Sequence, residues 1–310
     1  MKMRDAYGKA LVEIAKENKD VVVLEADMYR GCGVKLFYEE FPERFFTMGI
    51  AEQNMVGVAA GLAASGKIPF VNTFACFFLR AIDQIRVAVA YPALNVKIVG
   101  GHGGISTGPD GATHQPVEDI AVMRAIPNMT VIVPADPTEA AQATRECVKH
   151  PGPVYMRFTR PDIESIFDEN YRFKVGKAPL LRQGSDVTIM ATGIMVSFAL
   201  IASDLLAREG LGVRVLSCST IKPIDKKMII QAAEETRAIV TAEDHNILGG
   251  LGSAVAEVIG EGCPVALERV GVRDCFGQSG KTKELQRIYR LTAQDIAKAV
   301  RKVVKKKRKC

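Results

Sequence analysis

The 310-residue sequence has no tryptophan, only four histidines and an aromatic content of 6%. Its seven cysteines are scattered, odd in number and without a C-x-x-C pair. A disulfide framework or a zinc site is therefore not expected, and a reducing, cytoplasmic setting is. The longest apolar run, Met55 to Ala64, is alanine- and glycine-rich and falls well short of the ~18–20 residues that span a bilayer. Met1-Lys2-Met3-Arg4-Asp5 has no apolar core behind it, so no secretory signal is expected. With 48% hydrophobic and 25% charged residues, the chain also lacks the composition of a disordered protein.

Excess charge is missing from most of the chain. The 41 Lys+Arg face 35 Asp+Glu, but Arg301 to Cys310 holds seven basic residues and no acid, leaving 34 against 35 elsewhere. The net charge of +6 belongs to this tail, which reads as a solvated helix end with lysines suited to a helix C-terminus. No aromatic residue is interleaved with it, so nucleic-acid binding is not expected, nor is membrane binding.

What is present is alternation. Helix periodicity over 4–17 precedes the β-branched run Val21-Val22-Val23-Leu24, of the kind buried in parallel sheets. Strands are expected at 68–71, 96–99, 130–133 and 153–156, with helices at 52–65, 74–90, 116–125 and 137–149. Residues 161–182, with Pro161, Asp168, Asn170, Gly176 and Pro179, break the rhythm and read as a linker. Strands at 187–191, 213–217, 238–242 and 265–269 then alternate with helices near 196–209, 225–235, 250–260 and 293–305. The expected fold is α/β with two doubly wound domains, 1–160 and a smaller 183–310 that carries the basic tail.

Four segments could carry chemistry. Gly49-Ile50-Ala51-Glu52-Gln53-Asn54 places Glu52 in a first helical turn at the mouth of a sheet, where ligands of open α/β folds bind; an acid there also simply complements the helix dipole. Phe74, Phe77, Phe78, Ala81, Ile82 and Ile85 share one helical face, which reads as core, although three phenylalanines within five residues can also stack a flat heteroaromatic ring. Six of the twelve residues from Gly100 to Gly111 are glycine, and the same loop bears His102, Asp110 and His114. Two imidazoles and a carboxylate on such a loop can move a proton, read a hydroxyl and meet an anion. The spacing fits neither a Walker loop nor G-x-G-x-x-G, and a metal held by the two histidines and Asp110 is the weaker reading. Tyr155-Met156-Arg157-Phe158-Thr159-Arg160 ends the first domain with arginines that suit either a phosphate or a surface ion pair.

In this order the segments resemble the carboxyl-terminal half of transketolase over nearly the whole chain. The resemblance rests also on Tyr7-Gly8-Lys9-Ala10-Leu11, Ile221-Lys222-Pro223-Ile224-Asp225, Glu243-Asp244-His245, Gly249-Gly250-Leu251-Gly252 and Phe276-Gly277-Gln278-Ser279-Gly280. It implies a pyrimidine-binding domain, a transketolase C-terminal domain and thiamine diphosphate chemistry: transfer of a two-carbon ketol unit from a ketose phosphate to an aldose phosphate, as in the pentose phosphate pathway. Glu52 matches the catalytic glutamate that protonates the cofactor's aminopyrimidine ring and promotes its imino tautomer. Phe74 and Phe77 match the pyrimidine pocket, with Phe77 as the stacking ring. Arg4, His102, Asp110, His114 and Arg160 match the substrate channel. Asp110 would read a hydroxyl, His114 would assist proton transfer, and His102 with Arg4 and Arg160 would contact the sugar phosphate.

Two departures qualify the resemblance. The family's phosphate-binding serine falls on Gly31 in Asp27-Met28-Tyr29-Arg30-Gly31-Cys32-Gly33, which implies an altered donor preference unless Arg30 compensates. The family's metal-binding Gly-Asp-Gly with a following asparagine has no counterpart here. A partner chain is therefore expected to hold the diphosphate through Mg2+ or Ca2+, in an assembly of two copies of each chain. Competing readings are the beta chain of a 2-oxo acid dehydrogenase's decarboxylating component and a non-catalytic transketolase-like scaffold. His245 and Glu243 are expected to serve structure or subunit contact.

Overall fold

A computed structural model describes residues 2–307, which form two sheets, each flanked by helices. The first part of the chain runs α1 (Met3–Glu17), β1 (Val21–Glu25), α2 (Lys35–Glu40), β2 (Phe45–Thr47), α3 (Glu52–Ala64) and β3 (Ile68–Phe74). A broken helix follows: α4 (Ala75–Phe78), a 3-10 turn at Leu79–Ala81, α5 (Ile82–Gln84) and a π-helical turn at Ile85–Ala90. Then come β4 (Lys97–Gly101), 3-10 turns at Ile105–Asp110 and Ala112–His114, α6 (Asp119–Ala125), β5 (Thr130–Ile132), α7 (Pro137–Lys149) and β6 (Val154–Arg157). Beyond the irregular stretch lie β7 (Leu180–Arg182), β8 (Val187–Ala191), α8 (Met195–Ala207), β9 (Val213–Ser217), β10 (Thr220–Lys222), α9 (Lys226–Thr236), β11 (Ala238–Asn246), α10 (Leu251–Gly262), β12 (Ala266–Val272), α11 (Thr282–Ile288) and α12 (Ala293–Lys307).

The first sheet has the order β10-β5-β6-β4-β3-β1-β2 and is parallel except where β10 joins β5. The second, β12-β11-β8-β9-β7, is parallel except for β7. β1, β4 and β6 are buried along their whole length, as strands covered on both faces must be. In the first sheet the chain passes from β1 to one side and returns to β3 on the other. This reversal leaves a crevice outside the carboxyl ends of the strands. Register brings Glu25 opposite Asn72, Phe74 opposite Gly101, and Gly100 opposite Arg157.

Three features differ from the sequence reading. The expected helix over 74–90 is interrupted by its 3-10 and π turns, which rephase its faces. Phe74 instead ends β3, Phe78 enters the core, and Phe77 is left half-buried. Strand β10 lies beyond the linker in sequence but pairs with the first sheet, tying the two halves together. The linker region, without period in the sequence, is packed on the first domain. Asp136 caps α7 through the Glu139 N–H and accepts from the Ile166 and Phe167 amides, while the Tyr171 hydroxyl donates to Glu139 (2.7 Å). Burial pushes the Glu139 carboxyl up to about 7. The core is shared as well, because one apolar cluster contains Val99 and Ile132 with Val187 and Val240.

The basic tail continues α12 to Lys307. Lys302 and Lys306 pair with Glu268, and Arg301 pairs with Glu209. Residues 308–310, the end of the expected basic tail, lie outside the described residues. Among the described residues, no helix is long and apolar enough to cross a membrane.

Candidate active site

Glu52 opens α3 and is 5% exposed. One of its carboxylate oxygens receives the Arg80 guanidinium at 3.2 Å; the other has no hydrogen-bond partner among the described residues. Arg80 reaches Glu52 because the 3-10 turn at Leu79–Ala81 swings it back over α3, where its carbonyl also accepts from Gln53. The guanidinium carbon stands 4.9 Å from the centre of the Phe77 ring. His114 meets Phe77 edge-on at 5.2 Å, and the Thr113 hydroxyl lies 2.9 Å from His114 Nδ1. Glu52, Arg80, Phe77 and His114 thus form one continuous wall.

Phe74 is buried, with one ring face against His102 at a centroid distance of 3.7 Å and an offset contact with Phe77 at 5.7 Å. That leaves Phe77 the more available of the two rings. His102 follows directly from β4 with φ of 58°, an uncommon conformation for a residue with a Cβ. It is 4% exposed. Burial, reinforced by the nearby Arg160 and Arg4 charges, lowers its imidazole to about 3, so near neutral pH it is an uncharged hydrogen-bonding group.

Two arginines flank His102. Arg160 donates to Asp110 (2.7 Å) and to the Thr107 carbonyl (3.0 Å). Arg4 donates to the Gly31 carbonyl (3.2 Å), while its buried Nε has no hydrogen-bond partner. The Gly31 loop comes this close to α1 because Gly8 and Gly33 lack side chains; a Cβ on Gly8 would sit 2.0 Å from the Gly33 carbonyl oxygen. Arg30, weighed above as compensation at Gly31, is exposed and donates to the Tyr29 hydroxyl (3.0 Å). Arg157 is not available to a phosphate: it is buried, pairs with Asp119 (3.0 Å) and donates to the Asp244 carbonyl (2.8 Å).

The sequence matches the model of the transketolase pyrimidine-binding domain over residues 1–165 and that of the transketolase C-terminal domain over 176–296. The chain belongs to the transketolase family. It is 47% identical to a 6-deoxy-6-sulfo-D-fructose transketolase subunit of Clostridium sp. strain MSTE9, over 98% of this chain and 95% of that one. A solved split-gene transketolase, described as an inactive beta4 tetramer, superposes with a TM-score of 0.93 at 47% identity, covering 98% of this chain and 99% of that one. Transketolase of Rattus norvegicus is 38% identical over 98% of this chain, but the match takes in only 49% of the rat protein. The fold expectation stands: two α/β domains with mainly parallel sheets, as in transketolase.

Transketolases work with thiamine diphosphate and a divalent metal. The residues present fit the pyrimidine half of that cofactor. A shielded carboxylate with one oxygen unpartnered can exchange a proton with a ring nitrogen, and a half-exposed phenylalanine beside it offers a stacking face. The metal half is not matched. Among the described residues, no group of three or more His, Cys, Asp and Glu could hold a metal ion. His102, Asp110 and His114 do not make such a group; one Asp110 oxygen pairs instead with Arg160.

Arg80 was assigned no role from sequence, though it stands in the same segment as Phe77, one turn along. Glu25 was missed. This acid inside a β-branched strand is fully buried, with one oxygen accepting from the Met28 N–H (2.5 Å) and the other unpartnered. The contributions of the second domain were least visible, because they depend on contacts more than 100 residues apart.

Proposed function

We propose that this chain is the carboxyl-terminal subunit of a two-chain transketolase, assembled as two copies of each chain in the cytoplasm. It would work as the two units 1–160 and 183–310, joined by 161–182. The reaction is transfer of a two-carbon ketol unit from a ketose carrying a terminal anion to an aldose acceptor. The single observation behind this reading is the shielded Glu52 carboxylate, half satisfied by Arg80 and half unpartnered, adjoining the Phe77–His114 pair.

Thiamine diphosphate, when bound, would supply a nucleophilic carbon for ketol transfer. Glu52 would hold a proton at its unpartnered oxygen, facing the pyrimidine ring, and could exchange it there. Arg80 keeps the other oxygen in place. Phe77, backed by Phe74, would offer its face to the ring, while His114 at the edge of Phe77 would move a proton at the substrate oxygen. Asp110, oriented by Arg160, reads a substrate hydroxyl. Arg4, Arg160 and neutral His102 meet the terminal anion, which is a phosphate or, as in the substrate named for the Clostridium relative, a sulfonate.

The partner would bring the metal and the diphosphate grip. This is supported by the similarity to a split-gene transketolase described as an inactive beta4 tetramer. An apolar surface next to Glu52 supports it too. Ile50 is 74% exposed, Val58 and Val87 are exposed, and Gly57 and Gly61 on α3 face open space.

The test is to express the chain with and without a partner carrying the Gly-Asp-Gly metal segment. Ketol transfer and tight Mg2+-dependent cofactor binding are expected only from the pair. Tight Mg2+-dependent binding by the chain alone would overturn the two-chain reading.

A further inference from the structure

The loop from His102 to Asp110 belongs to the first domain, yet its starting point is held by the second. Asp244, at the carboxyl end of β11, is 4% exposed. Its Oδ1 accepts from the Ile105 N–H at 2.9 Å and its Oδ2 from the Ser106 N–H at 3.1 Å. These are the first two amides of the 3-10 turn that ends at Asp110, and amides at such a position have no partner within the turn. Gly104 makes the approach possible: with φ of 76° it lies so close that a Cβ would stand 2.4 Å from the carboxyl carbon of Asp244.

Asp244 is itself held through its backbone. The Asp244 backbone carbonyl accepts from Arg157, whose guanidinium pairs with buried Asp119. On the far side of the turn, Thr282 donates to the Ser106 carbonyl (3.3 Å), Gln286 donates to the Ser106 hydroxyl (3.4 Å), and Gln115 bridges the Gly108 and Gln278 carbonyls.

We infer that Asp244 is a positioning residue: it clamps the 105–110 turn across the domain boundary and thereby sets where Asp110 and His102 meet the sugar. The inference rests on the functional reading above, in which that loop contacts the substrate. Both oxygens are committed to N–H donors, so an asparagine at 244 would turn an amide NH2 toward one of them. Its hydrogen bonds reach neither Glu52 nor Arg80, so the pyrimidine pocket does not depend on it.

The test uses the two-chain enzyme. Asp244→Asn is expected to raise KM for the donor sugar about tenfold, as for loss of one charge-assisted bond, with kcat within about threefold and the dissociation constant for thiamine diphosphate unchanged. Amide hydrogen exchange over 105–110 should speed up. Adding Asp110→Ala should then cost less than it does in the parent, since both act on one contact. Gln286→Leu with Thr282→Val, which loosens the same turn without touching Asp244, should shift KM in the same direction but less; it carries the test if Asp244→Asn does not fold. Unchanged sugar KM and unchanged exchange would overturn the inference, as would sugar and cofactor affinities falling together. A parent assembly with no ketol transfer would instead sink the functional reading, and the inference with it.

Discussion

Gly31→Ser puts back the hydroxyl that the transketolase resemblance leads one to expect, and its consequences follow from the packing. A Cβ at Gly31 stands 3.0 Å from Phe74 Cε1, 3.3 Å from Cζ and 3.4 Å from the Met28 methyl. The first two distances are tight, and the Phe74 ring cannot retreat freely because it is stacked on His102 at 3.7 Å. The ring must give by a few tenths of an ångström, and such overpacking costs about 1–3 kcal/mol. The new hydroxyl, aimed at a charged terminal group, returns about 1.5–3 kcal/mol when substrate is bound. The two effects fall in different measurements. The melting temperature should drop by a few degrees. The ratio of kcat/KM for a phosphate-bearing donor over a sulfonate-bearing one should rise about tenfold, since the doubly charged group gains more from the donor. Steady-state kinetics of the two-chain enzyme on xylulose 5-phosphate and on 6-deoxy-6-sulfofructose measure that ratio. A stable variant whose ratio matches the parent's would refute the idea that Gly31 governs donor preference, and ordinary parental efficiency on xylulose 5-phosphate would remove the premise.

Arg80→Met should weaken cofactor binding by no more than about fivefold, because the Arg80 side chain is 59% exposed and ion pairs open to water are worth only ~0.2–1 kcal/mol; calorimetry on the assembled enzyme decides. His102 should show no NMR titration between pH 8 and pH 5, since burial holds its imidazole near 3, and a midpoint near 6.5 would mean that the ring is solvated. The sign follows for stability. Below about pH 6.5 the unfolded chain takes up a proton at this ring while the fold refuses it, so the His102 contribution is intact above pH 6.5 and falls with acid, by at most ~1.4 kcal/mol per pH unit down to about pH 3. Denaturant melts of the parent and His102→Gln across that window would show the difference.

Local pattern made most of the fold legible. Runs such as Val21–Leu24 and periodic stretches such as 137–149 carry their structure in side-chain spacing. The failures have a physical origin too. Phe74, Phe77 and Phe78 fit one helical face with Ala81, Ile82 and Ile85 on paper, but Phe74 ends β3, and the 3-10 turn at Leu79–Ala81 separates Phe77 and Phe78 from Ile82 and Ile85; no spacing rule announces a change of helix type. Thr220–Lys222 is too short to show that it crosses to the other sheet. The candidate site was legible where its residues are chemically unusual for their place, as with Glu52 in a first turn or two histidines on a glycine-rich loop. It was illegible where the role arises from a distant contact: Arg80 on Glu52, or Asp244 on Ile105 and Ser106.

The most direct measurement concerns Glu52. Glutamine there keeps the size of the side chain and its contact with Arg80 but cannot exchange a proton with the cofactor ring. In the two-chain enzyme at limiting thiamine diphosphate, Glu52→Gln should lower turnover by about 10²–10⁴-fold, the range for a lost acid–base group, while the assembly and its metal binding persist. Turnover equal to the parent's under those conditions would contradict the role assigned to Glu52.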